Sequence, residues 1–388
     1  MSIRKRTLPS GEVRWMLDYR DQQGARRGKL FATKGAAIAA ETRIRGELVR
    51  GIHTADSASA TIAEAADVWL AACEARGLEP STIAQYKTHV RGFIVPLLGS
   101  MKLSRLTAPV AQDFVERVTA TASRAMVRKV ATSLKSLVGE AVRRGLAATN
   151  AVREVRLPGS SRDEEPAEFP SRDEIKMLLD KAEGQMKVLV HLGIFTGMRA
   201  SEIRGLEWEN VDLKESIIRV RQRADRLNKI GRCKSNTSQR DIPIGQHLVA
   251  LLREWRLVCP RTVGADDPGV LRYVLPNKRG NVEDHPTVYR RFGALQLACG
   301  ITAPVLSEDG RPTRDKDGRP VVRQKFGLHA MRHACASLLI AEDWQPKRVQ
   351  AFLGHATIGL TMDTYSHLWH DAEADQQAMA RLEGTLLR

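Results

Sequence analysis

The period of apolar positions changes along the chain, and the changes divide it. Val13, Trp15, Leu17 and Tyr19 alternate with Arg14, Met16, Asp18 and Arg20 after a Pro9-Ser10-Gly11 turn. A two-residue period of this kind predicts a strand. A second strand is expected at 27–32 beyond the Gly24 turn. A helix is expected from Thr33, with Ile38, Ile44 and Leu48 apolar and Arg43, Arg45 and Arg50 outward. Residues 1–55 therefore read as a small β-rich module. From Ala60 the pattern becomes helical. Ile62, Ala66, Trp69 and Leu70 mark one helix, and Ser81 is placed to cap a second containing Ile83, Tyr86, Val90 and Phe93. Thr107 with Pro109 opens a third through Val115, and 123–144 supplies a fourth. The span 60–156 is thus predicted to be all helix. The segment 157–170, LPGSSRDEEPAEFP, combines Pro, Gly, Ser and a charge run, which marks a linker.

The remainder, 171–388, mixes periods. Ser171 caps a helix, and Val188, Leu189 and Leu192 mark another. Residues 217–223 and 241–244 alternate like strands around the polar stretch 224–240, which predicts a hairpin. Helices are expected at 248–257 and 287–298. Between 303 and 325 two Asp-Gly pairs predict an inserted polar hairpin or loop. Long-range repeats and Gly-rich phosphate loops are absent. The fold class is mainly α with small β-sheets, an α+β chain.

Polar residues concentrate between 327 and 368. Leu328, Met331, Cys335, Leu338 and Leu339 recur at helical spacing, which leaves His329 and Arg332 together on another face. Pro346 suits a helix start and Gly354 a helix stop, so His355 emerges at a bend. Tyr365 falls on a further helix or at its end. Each has a plainer reading. His329 and His333 are four apart, as in a zinc helix, but Ala330 follows the first His where a metalloprotease has its base. His355 alone fits a cation at a helix terminus, and Tyr365 alone fits an amphipathic core residue. Farther upstream, Arg199 opens a helix after Gly197, and Glu202 lies one turn on to hold its guanidinium.

Charge narrows the partner. Lys and Arg number 61 against 45 Asp and Glu, a net charge of +16. Such an excess favours a polyanion, most simply nucleic acid. Arg4, Lys5, Arg6, Arg14, Arg26, Arg27 and Lys29 crowd the first module. Arg124, Arg128, Lys129, Lys135, Arg143 and Arg144 recur along the fourth helix, where they could track a phosphate backbone. The five cysteines are odd in number and form no close pairs, which argues against a disulfide framework. No apolar run suits a signal peptide or a membrane span, so a soluble cytoplasmic protein is expected.

Five boxes, TGMRASEI, CKSNTSQRDIPI, GLHAMRHACASLLI, AFLGHATI and TMDTYSHL, follow in this order over the last half of the chain. Together they resemble the signature of the tyrosine recombinases, the phage integrase family. The resemblance implies a catalytic set of Arg199, Lys234, His329, Arg332, His355 and the nucleophile Tyr365, with Lys229 the rival of Lys234. It implies an arm-site DNA-binding module at 1–55, a core-site DNA-binding domain at 60–156, and a catalytic domain with a C-terminal tail at 171–388. Two departures stand out: the long 303–325 segment, and Gln239 where many members carry a second basic residue.

The chemistry is intelligible on its own terms. Attack on a DNA phosphodiester builds charge on the non-bridging oxygens, which Arg199 and Arg332 can meet with bidentate donors. A tyrosine of pKa about 10 needs a base or a positive field to attack at neutral pH. His329 is the expected proton acceptor and His355 a phosphate donor. Lys234 on the hairpin is the expected general acid for the departing 5′ oxygen. A covalent 3′-phosphotyrosine would conserve the bond energy, so neither ATP nor Mg²⁺ nor any cofactor is expected. By this reading the protein is a phage or mobile-element integrase. It acts as a homotetramer on double-stranded DNA with core-type and arm-type sites, with the tail after His370 docking on a neighbour. Accessory DNA-bending or excision-directing proteins are possible partners. A type IB topoisomerase would use the same chemistry to relax supercoils, and a non-catalytic DNA-binding or architectural protein would need only the charge.

Overall fold

Alternation at 13–20 produces the central strand of the N-terminal sheet. In the computed structural model β1 (Ser2–Thr7), β2 (Val13–Arg20) and β3 (Arg26–Phe31) form an antiparallel sheet in that order. Pairing sets Lys5 opposite Trp15 and Trp15 opposite Phe31. β1 was not expected, because 2–7 carries almost no apolar residue and is recruited by its ladder to β2. Helix α1 (Lys34–Val49) follows a Thr33 cap whose hydroxyl accepts from the Ala36 amide. Its buried face is Ala37, Ala40 and Ile44, packed on Leu17 and Tyr19, whereas Ile38 points to solvent. Small side chains let the helix lie close to the sheet, so the stripe is not the one its largest residues mark.

The structure describes residues 1–22, 24–51, 59–157, 168–233, 236–263, 268–307, 311–366, 376 and 379–381. Contacts divide the chain into two units, Met1–Glu164 and Glu165–Arg388. The boundary falls inside 157–170, most of which, like most of the tail after His370, lies outside the described residues.

The rest of the first unit is helical: α2 (Ile62–Ala75), α3 (Pro80–His89), a π-turn at Val90–Ile94, α4 (Val95–Leu98), α5 (Ala108–Thr119) and α6 (Arg124–Arg143). Thr61 and Glu64 exchange hydrogen bonds as a capping box. α3 begins at Pro80 after Glu79, without a side-chain cap, so Ser81 is not the cap it was expected to be. Proline's fixed φ pre-organises the first turn instead. Trp69, Phe114, Leu134 and Leu137 centre the core. On α6, Arg143 and Arg144 both bind Glu140, while Arg124, Lys129 and Lys135 stay exposed.

In the second unit α7 (Arg172–Lys181) has a Ser171–Glu174 capping box. Helix α8 (Gly184–Thr196) is buried against α12 (Ala330–Ala341) and α10 (Gln246–Val258). A Cβ on Gly193 would come within 2.8 Å of Met331, so the close crossing of α8 and α12 needs glycine there. Short α9 (Ala200–Arg204) precedes a small sheet of β4 (Val211–Asp212), β5 (Ile217–Val220) and β8 (Arg240–Pro243), with Ile218 opposite Ile242. The stretch expected to be a polar loop between β5 and β8 holds its own hairpin, β6 (Gln222–Ala224) with β7 (Ile230–Arg232). After α11 (His285–Ala298), β9 (Thr302–Pro304) and β10 (Val322–Gln324) pair at the base of the inserted segment. Then come α12, α13 (Pro346–Leu353) and α14 (Ile358–Tyr365). Among the described residues no helix is long and apolar enough to cross a membrane.

Candidate active site

Helix ends build the site. Gly197 ends α8 in the left-handed region at φ 60°, where glycine carries no Cβ penalty. A Cβ there would meet Leu353 at 2.5 Å and Cys335 at 3.2 Å. The reversal brings Arg199 to the start of α9. Its amide donates to Glu202 Oε2 (3.0 Å), its Nη1 to Oε1 (2.6 Å) and its Nη2 to the Gly354 carbonyl (3.2 Å). Glu202 is 2% exposed and also accepts from Arg240 Nη2 at 3.1 Å. Burial disfavours this carboxylate's charge, but Arg240 and Arg199 outweigh it and hold its pKa below the usual value. The pair anticipated from sequence is therefore no surface bridge: it is the buried anchor of two guanidiniums.

Arg332, in the first turn of α12, is 1% exposed. Its Nη1 donates to the Gly197 carbonyl at 2.7 Å, while Nη2 is buried with no hydrogen-bond partner among the described residues. Burial, reinforced by Arg199, lowers its pKa to about 9, which still leaves it charged at neutral pH. A buried, charged donor without an acceptor is costly unless an anion completes it.

His329 caps α12, and His355 follows Gly354, which ends α13 at φ 69°. His355 Nδ1 is held by Thr361 Oγ1 at 2.8 Å. Desolvation, aided by Arg332 and Arg199, lowers His355 to about 4. His329 is partly open to solvent at the start of α12, and burial of the rest of the residue disfavours the charged ring. That desolvation, with His333, Arg332 and Arg199 nearby, depresses it to about 4 as well. Both rings are neutral at pH 7, and each keeps one N–H to donate.

Tyr365 ends α14 and is 1% exposed. Its hydroxyl lies 2.6 Å from Nδ1 of His333, not against His329. Phe169 packs on both rings, with centroids 5.0 Å from His333 and 5.6 Å from Tyr365. Burial raises the phenol to about 12, against the pull of Arg332. His329 meets His333 edge-on at 4.9 Å. Among the described residues no group of three or more His, Cys, Asp or Glu side chains is disposed to hold a metal ion.

Arg199, His329, Arg332, His355 and Tyr365 are thus brought together from α9, α12, α13 and α14. Lys234 lies outside the described residues. Its rival Lys229 is exposed in the β6–β7 turn, where its amide donates to Asp225. Sequence reasoning missed three contributors. His333 was weighed only as half of a zinc pair, although it stands beside Arg332. Arg240, next to the exposed Gln239, reaches Glu202, and its Nε donates to the Phe352 carbonyl at 2.8 Å. Phe169 was assigned to the linker, and its only signal was being aromatic among polar residues.

Such a site, a half-satisfied arginine, two neutral imidazole donors and a buried phenol at converging helix ends, is built around an anion and a tyrosine. The chain belongs to the phage integrase family, the tyrosine recombinases, and is an enzyme of that class. The phage integrase family model matches residues 169–371, and that of the phage integrase N-terminal SAM-like domain matches 61–118. A tyrosine recombinase XerC-like protein of Caldanaerobacter subterraneus is 24% identical over 90% of both chains. A XerC tyrosine recombinase of Xanthomonas axonopodis is 28% identical over 47% of this chain and 46% of its own. Two solved structures share the mainly α fold with its small sheets. The Tn1549 transposon integrase with circular intermediate DNA has a TM-score of 0.67 at 18% identity, covering 84% of this chain and 100% of that one. The lambda integrase dimer on a core site has a TM-score of 0.57 at 18% identity, covering 95% and 94%.

Proposed function

We propose that this site-specific recombinase cuts and rejoins DNA through a covalent 3′-phosphotyrosine at Tyr365. The observation that carries the reading is the buried, unpartnered Nη2 of Arg332, set beside Arg199 and His355 in the shell that holds the phenol. A phosphodiester supplies the anion this donor lacks. Arg199 and Arg332 meet the charge that grows on the non-bridging oxygens, and His329 and His355, neutral before binding, donate to the same phosphate. Lys234 protonates the departing 5′ oxygen, and rejoining reverses each transfer. Residues 1–55 and 60–156 contribute arm-type and core-type DNA contacts. The enzyme works as a tetramer, the assembly named for a lambda integrase structure of TM-score 0.58, and belongs to a phage or transposon. The Tn1549 and lambda integrases support that assignment by fold.

The test is covalent trapping on a nicked suicide duplex carrying the crossover site, in chelator. Wild type gives a protein–DNA adduct on a denaturing gel, and Tyr365→Phe gives none. An adduct that persists in Tyr365→Phe would overturn the nucleophile. Binding without any adduct would leave a DNA-binding protein only.

A further inference from the structure

The acceptor that faces the nucleophile is not the one the sequence pointed to. The phenol's hydrogen bond goes to His333 Nδ1 at 2.6 Å, within the reach a proton transfer needs. Phe169 seals the pair from one side, and the Tyr365 side chain is almost entirely buried, so the hydrogen bond forms away from competing water. For the phenol to donate into this bond Nδ1 is the unprotonated nitrogen, the tautomer the proposal takes. Nε2, which has no hydrogen-bond partner among the described residues, then carries the ring's N–H.

We infer that His333 is a catalytic residue, the base that takes the Tyr365 proton during strand cleavage and returns it during rejoining. The inference rests on Tyr365 being the nucleophile. In cleavage the bond from Tyr365 Oη to phosphorus forms and the bond from phosphorus to the 5′ oxygen breaks. The phenolic proton passes to His333 Nδ1, and the 5′ oxygen takes a proton from the general acid. In rejoining the 5′ hydroxyl returns its proton to that group, and His333 reprotonates the leaving phenolate. Base and acid are reset together, with no other reactant consumed. Charged and titratable groups facing His333 are Arg332 and His329 at the start of its own helix and Tyr365 from α14. Burial and Arg332 both depress His333, so the base is neutral and available before attack.

The experiment measures single-turnover adduct formation by the full chain with ordinary and 5′-bridging phosphorothiolate duplexes. The sulfur leaving group needs no proton, so it relieves loss of a general acid but not loss of a base. His333→Ala is expected to slow cleavage roughly 10²-fold on both substrates. His333→Gln, which keeps an acceptor without basicity, should stay equally slow. Near wild-type rates in His333→Ala, or rescue by the thiolate, would overturn the proposal, and recovery in His333→Gln alone would overturn it too, leaving His333 a positioning role. A second measurement needs no turnover. In the ¹⁵N spectrum of histidine-labelled protein, Nδ1 of His333 should appear as a hydrogen-bonded acceptor that shifts in Tyr365→Phe. An unshifted Nδ1 would overturn the proposal, whereas a shift without any wild-type adduct would count against the phosphotyrosine chemistry instead.

Discussion

His329, His333 and His355 are all pushed below their ordinary pKa by burial, with Arg332 adding to it. An unfolded chain therefore takes up protons at these positions before the folded one does. Stability held by their neutral forms is complete above about pH 6.5 and falls as the pH drops towards 4. Glu202 extends the loss further down, since its depressed carboxylate stabilises the fold only while ionised. Urea unfolding across this window should show a steep fall in midpoint, and His355→Gln should flatten it between pH 6.5 and 4. A profile in that variant parallel to wild type would show that His355 does not titrate with folding. Five candidate residues that the structure brings together were named from the sequence boxes, because motif spacing is written in the chain. Partners were not legible: that the phenol meets His333, and that Glu202 serves Arg240 as well as Arg199, depends on how helices distant in sequence meet.

At the level of elements, the sequence located most helices and the strands β2, β3, β5 and β8, and it failed where tertiary contacts override local pattern. β1 has no apolar alternation of its own, α1 buries alanines, and β6–β7 is a hairpin drawn from a run of polar residues. That hairpin is held from below by Arg204, which is fully buried. Its Nε donates to the Glu283 carbonyl at 2.8 Å, Nη1 to that of Asp225 at 3.0 Å, and Nη2 to the Asn228 side chain. Lys234, the proposed acid, follows β7 by two residues in the sequence. Arg204→Met would strand these buried acceptors and cost about 3 kcal/mol. Hydrogen exchange over 222–232 should accelerate well before α8 or α12 is affected. Unchanged protection there would mean that the hairpin is held by its own ladder alone.

Across the whole molecule the surplus of 16 positive charges is not spread evenly in effect, because many arginines are already spent on internal carboxylates. Arg240 is tied to Glu202, and Arg143 and Arg144 share Glu140, so these three are poor counts of what DNA can use. On α6 the residues left exposed are Arg124, Lys129 and Lys135, each a turn or two from the next on one stretch of helix. Each phosphate they neutralise contributes about 0.9 to the slope of log K against log salt. Replacing all three with Ala should lower the slope of duplex binding by roughly 3 and weaken binding alike for specific and unrelated sequences. Arg143→Ala with Arg144→Ala should change the slope by less than one, since Glu140 already balances them. If the triple variant kept its slope, α6 would not lie on the DNA, and the basic N-terminal sheet would have to supply the first unit's phosphate contacts. Measuring the same slope after replacing Lys5, Arg6 and Lys29 would then decide between the two faces.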